Sequence, residues 1–237
     1  MGFLTNVLEF IFPPKCVFCR KSLKDYNIGM CEACKCSLPF TGDDALQKGE
    51  YPCCSPLYYD GIAKESFDRF KFDGATKYNK TYGKLIADSI KENLSGQYNM
   101  ITWVPLSENS LKKRGYDQSM LLAMSTALEL YDVAVEILCK NKDIPEQTGV
   151  VGLHARKANV SGVYSVKDPE LVSGKKILLI DDSIMSGSTL YECAGVLMDS
   201  GAVSVVCATL VRARNRWDLE HNMGHGLEHD SESIANV

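Results

Sequence analysis

The sequence predicts an α/β fold: a largely parallel sheet flanked by helices, preceded by a small cysteine-rich module. Three observations predict it. Strand-like and helix-like patterns alternate from about residue 59 to 212. Within that region, Ile177–Leu178–Leu179–Ile180 is an unbroken apolar run, as in a strand covered on both faces. Two adjacent carboxylates, a small hydroxylated loop and a helical pattern follow it. Third, seven of the ten cysteines lie before residue 55.

Length and composition narrow the classes. A chain of 237 residues can bury one good-sized core and carry an accessory module. Its 45% apolar and 24% charged content is ordinary for a globular protein, and a net charge of −4 gives no global reason to expect nucleic-acid binding. No apolar run reaches membrane-spanning length, which predicts no membrane insertion. Residues 1–12 are apolar but lack a basic leader and a small-residue cleavage site, so they predict a short docking helix rather than a secretion signal. The expected location is cytoplasmic. The cysteines then stay reduced, which favours metal over disulfides.

The elements follow in order. Cys16-x2-Cys19, eleven residues, then Cys31-x2-Cys34 predicts a closed tetrahedral zinc site. Such a site is structural because no position stays open. Cys36 can replace Cys34, and Cys53 or Cys54 can contribute instead. Cys139, Cys193 and Cys207 sit among apolar residues and are expected in the core. A helix is predicted from about Thr81 to Leu94, with Leu85, Ile86 and Ile90 on one side. Ile101–Val104 predicts a strand closed by Pro105. Asp117 can cap a helix running to about Tyr131, its apolar side marked by Met120, Leu121, Met124 and Leu128. The stretch from Asn141 to Gly162 is long and weakly patterned, as either a lid or a plain surface excursion would be. In it, Arg156 and Lys157 can swing over a bound phosphate, and His154 is a candidate proton donor. Leu190, Ala194, Leu197 and Met198 mark a further helix ending at Gly201, and Val203–Leu210 a further strand. The division is thus residues 1–58 for the cysteine module, 59–212 for the α/β domain, and 213–237 for a polar, disordered tail.

The chemistry concentrates at the end of the 177–180 strand. Asp181 and Asp182 can accept hydrogen bonds from sugar hydroxyls or face a hard cation such as Mg²⁺. The loop from Ser183 to Thr189 offers hydroxyls and backbone N–H groups at a helix N-terminus, where a phosphate can sit. Gly187 permits positive φ. The bland alternative is a strand–turn–helix corner in which Asp182 and Ser183 only cap. A second candidate is the basic triplet Lys112–Lys113–Arg114 before Gly115, suited to a polyanion such as pyrophosphate or merely to water. In open α/β sheets ligands bind beyond the carboxyl ends of the strands, which puts 105–118 and 181–189 on one rim.

The 176–189 segment resembles the phosphoribosyl diphosphate (PRPP) signature of type I phosphoribosyltransferases, implying that family's fold. The resemblance assigns Asp181 and Asp182 to the ribose, and Ser186, Gly187, Ser188 and Thr189 to the phosphate. Two loop positions depart from the usual pattern: Ser183 replaces an aliphatic residue, and Met185 replaces a common threonine and so removes one hydroxyl. Over nearly the whole chain to Arg212, the order of motifs resembles the ComF family: FPPKCVFC, CEAC, LYYDG, RFKF, VPL, RGYDQ and the acidic loop. Asp117 stands where that family commonly has asparagine, and a third cysteine pair is reduced to Cys53–Cys54. The resemblance implies binding of PRPP, or a related ribose phosphate, with Mg²⁺. It further implies transfer of the phosphoribosyl group to an unidentified acceptor with release of pyrophosphate. Lys112, Lys113, Arg114 and Arg156 would receive the pyrophosphate, with Lys71 a weaker candidate. The alternative is a non-catalytic accessory of DNA uptake that binds single-stranded DNA or a helicase partner. Residues 1–58 carry six basic and six acidic residues, a balance that favours partner docking over direct DNA binding by that module.

Overall fold

The computed structural model describes residues 13–24, 29–141 and 162–214. The apolar start at 1–12, most of the expected lid with His154, Arg156 and Lys157, and the tail from 215 lie outside these residues. After the first cysteine pair come helix α1 (Glu32–Ser37) and short strands β1 (Leu46–Gln47), β2 (Cys53–Cys54) and β3 (Leu57–Tyr58). Helices α2 (Gly61–Phe72) and α3 (Asn79–Asn93) lead to strand β4 (Met100–Trp103). Then follow α4 (Glu108–Arg114), α5 (Gln118–Glu129), β5 (Leu138–Lys140), β6 (Tyr164–Val166) and α6 (Pro169–Val172). The last elements are β7 (Lys176–Ile184), α7 (Ser188–Asp199) and β8 (Ser204–Arg212).

The main sheet runs β1-β2-β8-β7-β4, with β3 also paired to β8. All its pairings are parallel except β1 with β2. Strands β5 and β6 form a separate antiparallel ribbon. Alternation along β7 explains its apolar run. Leu178 and Ile180 join a core with Phe67 and Phe70 of α2, Ile86 of α3 and Leu122 of α5. Ile177 and Leu179 face the other way, with Leu190, Cys193 and Leu197 of α7 and Tyr164 of β6. Both faces of the strand are therefore dry, as successive side chains on a two-residue period require.

Two local features set the packing. A Cβ on Gly83 would come within 2.5 Å of Ser125 Cβ and 2.7 Å of its backbone, so the absence of a side chain lets α3 and α5 cross closely. The short strands β2 and β3, within the cysteine-rich stretch of the sequence, pair with β8 of the main sheet. Cys53 and Cys54 are accordingly buried strand residues. Cys193 and Cys207 are core, whereas Cys139 is half-buried on the ribbon. Among the described residues, no helix is long and apolar enough to cross a membrane.

One expected boundary moves. The strand does not stop at the acidic pair but continues to Ile184, because β8 keeps pairing alongside it: Asp181 opposite Thr209, Ser183 opposite Val211. Ser183 is thus a strand residue, and Ser188 and Thr189 open α7. The loop proper is reduced to Met185, Ser186 and Gly187.

Candidate functional site

The four cysteines of the two paired motifs converge. The Sγ atoms of Cys16, Cys19, Cys31 and Cys34 all lie within 4.8 Å of one another, and Cys19 and Cys31 are 3.6 Å apart. The first pair sits in a tight turn: the Arg20 N–H donates to the Cys16 carbonyl at 2.9 Å, and Arg20 takes φ of 64°. The second pair lies at the start of α1, where the Cys31 N–H donates to Cys16 Sγ at 3.4 Å. Backbone donors beside Cys16 outweigh its burial and bring its thiol down to about 7. The cluster can therefore hold a metal ion, and four soft thiolates at mutual sulfur distances of this size fit tetrahedral zinc. Cys36 is exposed and outside the cluster, and Cys53 and Cys54 are in the sheet.

The acidic pair lies at the carboxyl end of β7, beside the end of β4, and is held from three elements. Asp181 Oδ1 accepts the Ser119 hydroxyl at 2.8 Å and the Asp182 N–H at 2.8 Å. No described residue donates to its Oδ2. Asp182 is 7% exposed, and Lys71 of α2 donates to Oδ1 at 3.1 Å and Oδ2 at 2.8 Å. The Ser183 hydroxyl adds a bond to Oδ1 at 2.7 Å. Burial, then the neighbouring Asp182 charge, pushes the Asp181 carboxyl up to about 7. Burial alone would lower the Lys71 amine, but the Asp182 carboxylate more than offsets it, and Lys71 is held above the usual lysine range.

The segment Gly115–Ser119 is what brings these groups together. Gly115 closes α4 in the left-handed conformation at φ 79°. The Tyr116 hydroxyl donates to the Phe70 carbonyl. Asp117 caps α5 through the Met120 N–H at 2.9 Å and takes the Leu106 N–H at 3.1 Å, fastening the end of β4 to the helix. The Gln118 amide donates to the Lys71 carbonyl at 3.1 Å, and Ser119 reaches Asp181. Of the basic triplet, Arg114 turns inward and donates to Gln118 Oε1 at 3.4 Å. Lys112 and Lys113 are exposed, and the Lys112 amine is 3.9 Å from Glu108. The triplet also ends α4, where cations meet the negative end of the helix dipole.

At the phosphate-type loop, Gly187 has φ of 75°, and an added Cβ would lie 3.1 Å from the Tyr191 ring. Gly187 brings no capping side chain to α7. Ser186 supplies the local oxygen instead, 3.4 Å from the Ser188 N–H and 3.0 Å from the Ser188 hydroxyl. Ser186 and Thr189 are exposed, and Met185 and Ser188 half-buried. Acidic pair, loop and Arg114 thus share the rim, while Arg156 lies outside the described residues. Lys71 and Ser119 are what the sequence reading ranked low or missed. The signal for Lys71 was its place in a buried aromatic helix, RFKF. Ser119 carried no signal of its own.

Mg²⁺, which the resemblance implies, can be tested against these groups. Both Asp182 oxygens already carry Lys71, which leaves Asp181 Oδ2 as the open carboxylate oxygen of the pair. The pair does not fit direct coordination of a divalent cation, which needs several oxygen ligands at about 2.1 Å.

A fold of this order with this strand–loop–helix corner is a type I phosphoribosyltransferase-like fold, and residues 117–229 match the phosphoribosyl transferase domain family. Competence protein ComFC of Streptococcus pneumoniae is 28% identical over 157 residues, 65% of this chain and 65% of its own. ComFC of Bacillus subtilis is 24% identical over 156 residues, 65% of this chain and 62% of its own. DNA utilization protein YhgH of Escherichia coli is 29% identical over 115 residues, 46% of this chain and 49% of its own. These matches bear out the resemblance to the ComF family read from the motifs. The matched span is a little under two thirds of each ComFC relative.

Proposed function

We propose that the rim binds the ribose 5-phosphate part of PRPP or a related ribose phosphate. The carrying observation is that one strand end presents a braced acidic pair and, five residues after Asp182, a left-handed glycine opening a helix. The acidic pair would take ribose hydroxyls, with Asp181 Oδ2 as the free acceptor. Ser186, the 187–189 backbone and the Ser188 and Thr189 hydroxyls would hold the 5′-phosphate. A 12-residue helix gives its N-terminal N–H groups a favourable dipole for that anion. In a transferase reaction a nitrogenous nucleophile would displace pyrophosphate from C1 of the sugar. The transition state is cationic, so catalysis rests on positioning and on neutralising the leaving group, for which Arg114, Lys112, Lys113 and Arg156 are the candidates. Zinc in the four-cysteine cluster would be structural. Mg²⁺ would be carried on pyrophosphate oxygens rather than on the acidic pair. The expected setting is cytoplasmic.

The test is calorimetric titration of ribose 5-phosphate into the protein and into an Asp181→Asn, Asp182→Asn double variant. Saturable binding lost in the folded double variant supports the assignment; unchanged affinity removes it. A second reading rests on the relatives' names, competence protein and DNA utilization protein: a role in DNA uptake, with single-stranded DNA or a helicase as partner. It predicts oligonucleotide binding that falls steeply with salt.

A further inference from the structure

We propose that Lys71 is the resident cation of the acidic pair, occupying on its carboxylates the place of a divalent metal, so that the sugar phosphate is held without metal there. The inference rests on the ribose-phosphate reading above and narrows it. Its basis is geometric. The Lys71 ammonium spans both oxygens of Asp182 at 2.8 and 3.1 Å, and the Ser183 hydroxyl shares Oδ1. A metal on Asp182 would have to compete with the ammonium for both oxygens.

Eviction is opposed from several sides. The Lys71 side chain is 20% exposed, and its amine lies 5.4 Å from the Phe67 ring centroid, a cation–π distance. Its carbonyl is fixed by Gln118 and the preceding Phe70 carbonyl by Tyr116, so the backbone that carries it is anchored to the same rim. The nearby Arg114 guanidinium adds positive field that a divalent ion would also meet. With both carboxylates ionised, the pair and the ammonium sum to a single negative charge, open at Asp181 Oδ2. That suits a neutral sugar diol, whose hydroxyls donate, better than a bare divalent cation.

The experiment titrates ribose 5-phosphate into the protein with Mg²⁺ present and with Mg²⁺ removed by a chelator weak enough to leave the cysteine cluster loaded. The wild-type affinity should differ by no more than about twofold between the two conditions, and Lys71→Met should bind about tenfold more tightly with Mg²⁺ than without. Lys71→Arg should keep the insensitivity to metal. Should Lys71→Met fold poorly, the combination Lys71→Met, Asp182→Asn removes both charges and should again be insensitive. Wild-type binding that needs Mg²⁺, or a Lys71→Met variant as indifferent to metal as the wild type, overturns the inference while leaving the ribose-phosphate site standing. No wild-type binding under either condition overturns that reading itself, and this inference with it.

Discussion

The cysteine cluster and the acidic rim are built on opposite plans. The cluster is assembled from two short motifs within nineteen residues, each a local turn, and its four ligands are complete in themselves. The rim depends on side chains far apart in sequence: Lys71 meets Asp182 across 111 positions, and Ser119 meets Asp181 across 62. A closed local site is a folding device, whereas an open assembled one leaves an acceptor for a ligand. The two are not independent, because α2 touches both. Arg69 donates to the Val17 and Phe18 carbonyls inside the first cysteine turn, at 3.2 and 2.5 Å, and Ser66 donates to Val17 at 2.6 Å. Two residues beyond Arg69, Lys71 braces Asp182. The first cysteine turn is thus bonded to the helix that completes the rim.

The largest effect should come from breaking the local site. Cys16→Ser removes a buried ligand and should release the metal and unfold the N-terminal turn, since metal binding in such sites is folding free energy, about 10 kcal/mol or more in isolated zinc peptides. Metal content by mass spectrometry and thermal unfolding read this directly; full metal retention would shift the ligand set. Next, stripping the metal from the wild type should weaken ribose 5-phosphate binding severalfold through α2, although none of the four clustered cysteines hydrogen-bonds a described rim residue. Unchanged affinity in the metal-free, still folded protein would show that the two regions are uncoupled.

A third break is confined to the rim. Gly187→Ala places a Cβ 3.1 Å from Tyr191 and forces a left-handed residue, a strain of about 1–2 kcal/mol. It should lower Tm slightly and phosphate affinity more, as seen by comparing ribose 5-phosphate with inorganic phosphate. The smallest effect is one of pH. The Asp181 carboxyl is raised to about 7 in the folded chain, above the unfolded carboxylate range near 4. The folded state therefore binds the extra proton between these values, and Asp181 costs stability as pH rises through that window. Ligand hydroxyls favour the ionised carboxylate, so affinity should rise from pH 6 to 8. Asp181→Asn should flatten the part of that rise not due to the phosphate, whose own second ionisation falls near pH 6.

What was legible in the sequence follows the same division. The paired CxxC spacing is a local code, and the structure brings those four sulfurs together. The alternating elements, the Asp117 cap and the positive φ at Gly187 were likewise visible, because each depends on neighbours within a few positions. The extension of β7 to Ile184 was not, since pairing with β8 rather than apolar character carries the strand past two aspartates. Nor was the work of the RGYDQ motif. The basic triplet before it reads as a polyanion site and Asp117 as a cap, but nothing local shows that Tyr116 and Gln118 fasten α2 through the Phe70 and Lys71 carbonyls. Lys71 is half-hidden in an aromatic helix, and only tertiary structure reveals that it meets Asp182.

The most direct measurement of the central claim is a titration of the metal-loaded wild type with PRPP, ribose 5-phosphate, inorganic phosphate and a single-stranded oligonucleotide under identical salt. Saturable binding of both sugar phosphates, each tighter than phosphate alone, is the predicted result. Oligonucleotide binding without any response to either sugar phosphate would contradict it.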